Sequence, residues 1–177
     1  MGQDTMSYYR PDVSEYPEYF APYMALVDED DLIVGMDDQI DEFMSVLGFI
    51  SEEVGNQVHA LYTWTVKQVV GHILDNERIF AYRALRFASG DTTDLPGYDQ
   101  DILVANNDYE SITLSKLADE LQLLRQANIA MFRRFKPEAW SLSGTADGKK
   151  ISVRAIAALQ IGHARYHLDI LRKRVGA

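Results

Sequence analysis

Apolar residues in this chain recur at steps of three and four in four separate stretches. In residues 30–52 the lane is Ile33, Met36, Ile40, Phe43, Leu47 and Ile50. In residues 65–88 it is Val66, Val69, Val70, Ile73, Phe80, Leu85 and Phe87. Leu117, Leu121, Leu124, Met131 and Phe135 repeat through residues 113–135, with Asn128 interrupting the lane. In residues 152–174, Ile156, Leu159, Ile170 and Leu171 flank a pair of histidines. A backbone that turns about 100° per residue gathers such positions on one face. Four faces of this kind have to be buried against one another, so the expected fold is all-α, a four-helix bundle. Two starts carry capping chemistry. Thr65 and Gln68 stand at capping-box spacing, and Ser152 suits an N-cap.

The stretches between the helices also constrain the fold. Residues 89–111, beginning SGDTTDLPGYDQD, are long for a bundle connection. Long ordered connections are functional or carry the chain from one end of a bundle to the other. Residues 136–151 contain Asp147-Gly148, a tight-turn pair, and leave room for a short β-hairpin. Nothing else reads as strand. In residues 1–29 three prolines alternate with Tyr8, Tyr9, Tyr16, Tyr19, Phe20 and Tyr23. So many rings predict an ordered extension that wraps over the helices. The expectation is one domain over residues 1–177.

Composition narrows the function. With 47% hydrophobic and 25% charged residues, the chain has an ordinary globular balance. Its net charge of −10 argues against a nucleic-acid partner and against anionic membrane surfaces. The basic run Arg172-Lys173-Arg174 suits a helix C-terminus. There is no cysteine, which excludes disulfides, thiolate metal sites and a protein thiol nucleophile. Gly2 follows Met1, but Met6 stands where an acylation signal needs Ser or Thr. No apolar run is long enough to span a bilayer or resembles a signal peptide, so a cytoplasmic location is expected.

The four histidines carry the chemistry. His163 and His167 are four residues apart in GHARYHLDIL, so they point the same way from one helix, on the face that holds Ile156, Leu159 and Ile170. In the second helix His72 shares a polar lane with Gln68 and Asn76, beside Asp75. Burying polar groups without partners costs roughly 1–3 kcal/mol each. A divalent metal held by His72, His163 and His167 removes that cost for both helices, and imidazole suits zinc, nickel or iron. A chance pair on a solvated face, or buried histidines bonded to other side chains, is the commoner outcome of such spacing. His59, five residues before Trp64, could approach the site as a fourth ligand or acid/base, although an ordinary loop residue is the commoner outcome.

The segments WTVKQVVGHILDNERIFAYRALRFASGD, LPGYDQD and ISVRAIAALQIGHARYHLDILRKR, preceded by RPDVSEYPEYFAPYMALV, resemble the DinB-like superfamily of four-helix metalloproteins. The resemblance covers nearly the whole chain. It implies one metal ligand in the second helix after a Trp-Ser/Thr start and two in the last helix as HxxxH. Here those are His72, after Trp64-Thr65, and His163 with His167. It also implies two chemistries on small-molecule substrates: S-transfer from a low-molecular-weight thiol such as bacillithiol, mycothiol or glutathione, and metal-dependent hydrolysis. In a transferase the absent cysteine is no obstacle, because the nucleophile arrives with the cosubstrate. Arg83, three turns along from His72, could meet a carboxylate on an extended thiol, although an interhelix ion pair is the commoner use of such a residue. In a hydrolase Asp75, one turn from His72, is the expected catalytic carboxylate, and Glu77 points round the helix. Tyr98 and Asp99 are expected at the pocket border. A metal- or ligand-binding protein without turnover is the third reading. A homodimer is the commonest assembly open to such a bundle.

Overall fold

The computed structural model describes residues 8–175; Gly2 and Met6 lie outside the described residues. Its elements are α1 (Ala21–Met24), α2 (Leu32–Gly48), α3 (Glu52–Gly55), α4 (Val66–Ala88), α5 (Gln100–Ala105), α6 (Leu114–Arg133), β1 (Ser143–Ala146), β2 (Lys149–Ser152) and α7 (Val153–Val175). The four long helices fall on the four apolar lanes, and the fold is a helical bundle with one small hairpin.

The starts are set by the side chains that the sequence offers. Thr65 accepts from the Gln68 N–H while the Gln68 side chain accepts from the Thr65 N–H, a complete capping box on α4. The Ser152 hydroxyl accepts from the Ala155 N–H at 2.9 Å and starts α7. The first lane ends sooner than its periodicity predicts. After Gly48 the chain turns, and Ser51 caps a new short helix, α3, through the Val54 N–H. Asp99 likewise caps α5 inside the long connection. In the hairpin, Asp147 and Gly148 both take positive φ, 53° and 67°, as a tight two-residue turn requires.

Cross-helix pairings fix the directions. Arg125 of α6 reaches Met36 and Gln39 of α2, while the lower turns of α2 meet the start of α6, so these two are antiparallel. On α4, Leu74 neighbours Leu117, and Glu77 bonds Arg125 and Asn128, so α4 and α6 run the same way. His72 pairs with His163 and Glu77 with Gln160, so α4 and α7 are antiparallel. A parallel α4 and α6 explains the long connection: the chain has to return the length of the bundle before α6 can begin. On the way Leu95 exchanges backbone hydrogen bonds with Thr145 and Asp147, which ties the connection to the hairpin.

The core divides in two. One apolar cluster surrounds Trp140, Phe87, Phe132 and Met36; the other surrounds Val66, Ile73, Leu117 and Leu168. On each long helix a buried polar residue lies at or next to the change of cluster: Gln39 on α2, Glu77 on α4, Arg125 on α6, and Gln160 and His163 on α7. Most of these groups satisfy one another. Arg125 pairs with Glu77 and donates to Gln39 Oε1 at 2.7 Å. Asn128, which breaks the α6 lane, donates to Glu77 Oε2 at 2.9 Å. Gln39 donates to the Ile161 carbonyl at 2.9 Å. This layer ties all four helices together and fixes the register of α4 against α7.

The N-terminal segment lies across α7, as its aromatic content predicts. Tyr8 meets Trp140 edge-on at 4.9 Å, Arg165 donates to the Leu26 carbonyl and pairs with Glu29, and Glu15 accepts from Ser152. Gly162 permits the close approach: a Cβ there would lie 2.1 Å from the Tyr23 carbonyl oxygen. Among the described residues no helix is long and apolar enough to cross a membrane.

Candidate metal centre

His72 stands two turns into α4, and His163 and His167 occupy successive turns of α7. The antiparallel pairing of these helices brings the rings together. One ligand-capable nitrogen from each lies within 4.8 Å of the others, and His72 Nε2 is 3.1 Å from His163 Nε2. Ring centroids are 5.0 Å apart for His72 and His163, 4.8 Å for His72 and His167, and 4.6 Å for His163 and His167. Two residues ninety-one positions apart in sequence thus share one point in space.

The electrostatics suit ligands. Burial pushes the His72 imidazolium down to about 4. Burial, then the neighbouring His72, brings His167 down to about 3. His163 is driven well below the usual histidine range by burial and by both neighbours. All three rings are therefore neutral at pH 7, the state in which imidazole donates a lone pair. His167 has no hydrogen-bond partner among the described residues, and no carboxylate joins the cluster. Three converging neutral imidazoles, each with one nitrogen lone pair to offer, fit a divalent cation. Three protein ligands also leave coordination positions open, the pattern of catalytic sites.

The surroundings are aromatic. Trp64 lies 4.9 Å from His72, Tyr23 5.6 Å and Phe80 5.8 Å from His163, and Tyr166 5.2 Å from His167. Asn76, one turn after His72, contacts both ring nitrogens at 3.1 Å and donates to the His72 carbonyl at 2.9 Å. The Tyr98 hydroxyl donates to Asn76 Oδ1, so the long connection holds the amide in place. A cavity of about 280 Å³ opens beside the cluster; His163 and Asn76 form one end and Arg83 and the hairpin turn the other.

Other expected site residues are placed differently. Asp75 does not reach the imidazoles: its carboxylate accepts a hydrogen bond from Tyr109 and lines a second cavity toward α6 with Arg78 and Glu120. Glu77 is committed to Arg125. Asp99 caps α5, whereas Tyr98 does border the cavity. His59 stays in its loop outside the cluster. Sequence reasoning missed Tyr23, Phe80 and Lys149 as cavity walls. The density of rings in the N-terminal segment signalled that it would pack, but not where.

A family model described as the DinB superfamily matches residues 36–171. No curated protein matches the sequence. Among solved structures, YfiT from Bacillus subtilis, described as a probable metal-dependent hydrolase with an unusual four-helix bundle topology, superposes with a TM-score of 0.70. That match has 18% identity and covers 82% of this chain and 86% of that one. The mycothiol-dependent maleylpyruvate isomerase superposes with a TM-score of 0.61 at 15% identity, covering 82% of this chain and 60% of that one. Likeness at these identities shows the shared fold.

Proposed function

The chain belongs to the DinB superfamily, and from that premise we propose that it is a metal-dependent enzyme acting on small molecules. His72, His163 and His167 hold one divalent ion, and a low-molecular-weight thiol is transferred to an electrophilic acceptor. The observation that carries this reading is the convergence of three neutral imidazoles beside an aromatic cavity with no carboxylate among them. A divalent ion bound there would supply a Lewis acid able to stabilise a thiolate at neutral pH. The neighbouring superposition on a mycothiol-dependent enzyme is consistent with a thiol cosubstrate.

The remaining steps belong to the chain's own residues. Burial keeps the three rings neutral, each with a free nitrogen lone pair, so no second proton has to be displaced before they act as donors. Asn76, held by Tyr98, packs against His72 and restrains its ring. Tyr23, Phe80 and Trp64 limit water at the cluster, which strengthens every electrostatic interaction inside it. The sulfur arrives with the cosubstrate, since the chain has no cysteine. A carbon–sulfur bond forms as the acceptor loses its leaving group, and the thiol proton passes to solvent.

Hydrolysis is the second reading, favoured by the superposition on YfiT. It needs a group that takes a proton from water. Tyr98, whose hydroxyl is pushed up to about 12 by burial, is a poor base, and Asp75 is committed to Tyr109. In this reading, as in the first, Asp75 holds Tyr109 rather than moving protons.

The test is incubation of metal-loaded protein with bacillithiol, mycothiol or glutathione and monochlorobimane as electrophile. Conjugate above background with at least one thiol is the expected result. Conjugation at the background rate with every thiol contradicts the transferase reading.

A further inference from the structure

Arg83 is a buried cation with no carboxylate in contact; Asp147, across the same cavity, acts on it only at a distance. The residue is 8% exposed, and no carboxylate lies within ion-pair distance among the described residues. Its one protein acceptor is the Pro96 carbonyl, 3.0 Å from Nη2, and its guanidinium stacks over the Tyr98 ring at 5.4 Å. Both contacts come from the long connection, and they aim the fork into the same cavity that His163 lines. Its other guanidinium nitrogens have no protein acceptor among the described residues and are not among the buried, unpartnered atoms, so they are accessible from the cavity and free to meet a charged ligand.

The other charges in that cavity cancel. Lys149 Nζ bonds Asp147 Oδ2 at 2.5 Å and lies 5.4 Å from the Tyr19 ring. With Arg83, the three charged side chains leave a net of one positive charge, at the end of the cavity away from the imidazoles. Arg83 is seven residues beyond Asn76 on α4, about 10 Å along the helix axis. The walls between are Tyr23, Phe80 and Tyr98.

We infer that Arg83 is the recognition point for a carboxylate, and that the enzyme's ligand is a monoanion whose reacting end and carboxylate are separated by an extended apolar body. Arginine's planar fork matches a carboxylate with two parallel hydrogen bonds. The inference rests on the reading above for the position of the reacting end. The carboxylate belongs either to the acceptor or to the thiol, and the two sources are separable by probe.

The experiment is calorimetric titration of the metal-loaded protein with two matched pairs: phenylbutyrate against phenylbutyramide, and mercaptohexanoate against mercaptohexanol. In at least one pair the acid binds tighter by about tenfold or more, as expected for a charged hydrogen-bonded pair formed out of water. A preference confined to the thiol pair puts the carboxylate on the cosubstrate, and one in the aryl pair puts it on the acceptor. Arg83→Gln abolishes the preference and Arg83→Lys keeps part of it, with metal content unchanged in both. Equal binding of acid and neutral analogue in both pairs, absence of binding by both acids, or a preference that survives Arg83→Gln overturns the inference. Should Arg83→Gln fail to fold, the wild-type comparison still decides. Repeating the titration after chelation separates the two claims: an acid preference in a protein that never retains metal sinks the metal reading and leaves this one standing.

Discussion

Replacing Arg125 by methionine strands Glu77. Both residues are 2% exposed, and among the described residues the carboxylate has only Arg125 and Asn128 as donors. Removing one member of a buried pair leaves an uncompensated charge and costs about 3–5 kcal/mol, whereas replacing both by apolar groups is often near neutral. Arg125→Met is therefore expected to lower the free energy of urea unfolding by that amount, with Glu77→Leu added to it restoring most of the loss. A double variant as unstable as the single one would mean the layer contributes through more than charge pairing. Asp75 gives a second prediction at this scale. Because its carboxylate serves Tyr109, Asp75→Asn should leave the thiol-conjugation rate within about twofold of wild type, well short of the 10²–10⁴-fold that a general base contributes; a loss of a hundredfold would return Asp75 to the reaction. The shared direction of His163 and His167 is legible from their spacing, because helical geometry alone fixes it. The role of Asp75 is not, since sequence adjacency to His72 says nothing of Tyr109, thirty-four residues away.

At the scale of elements, local chemistry predicts what local chemistry controls. The capping box of Thr65 and Gln68, the Ser152 cap and the Asp147-Gly148 turn all act within three residues, and each stands where the sequence places it. The short helices α1, α3 and α5 leave no such trace, because four to six residues give too little periodicity to detect. The course of the N-terminal segment depends on a contact that periodicity cannot show, the passage of the Tyr23 carbonyl over Gly162. Gly162→Ala forces backbone apart rather than a flexible side chain, so a destabilisation of about 1–3 kcal/mol is expected. It should be accompanied by faster amide hydrogen exchange in residues 21–27, while the rest of the bundle keeps its protection. Unchanged exchange in that segment would show that α7 yields instead.

For the whole molecule, the helices and the histidines that cluster are legible in the sequence, but the directions of the helices are not. Parallel α4 and α6 follow from pairings such as Glu77 with Arg125, which are long-range and leave only the length of residues 89–111 as a trace. The pH dependence of stability is likewise a property of the assembled chain. Glu29 is held below the usual glutamate range, chiefly by the Arg165 hydrogen bonds that fasten the N-terminal segment to α7. A carboxyl whose folded pKa is depressed adds stability above its unfolded value, about 4.3, and loses it as pH falls through the folded one. Wild type should therefore lose stability more steeply than Glu29→Gln between about pH 5 and pH 3, measured as Tm; parallel curves would remove this pair from the account. The claim on which the functional reading depends is that three imidazoles bind one ion. Its most direct measurement is the metal content of gently purified, dialysed wild-type protein beside His163→Ala, by elemental analysis. One equivalent of zinc, nickel or iron per chain in the wild type, falling to less than about a tenth in the variant, is the predicted result. Equal metal in both proteins, or none in either after loading, would contradict it.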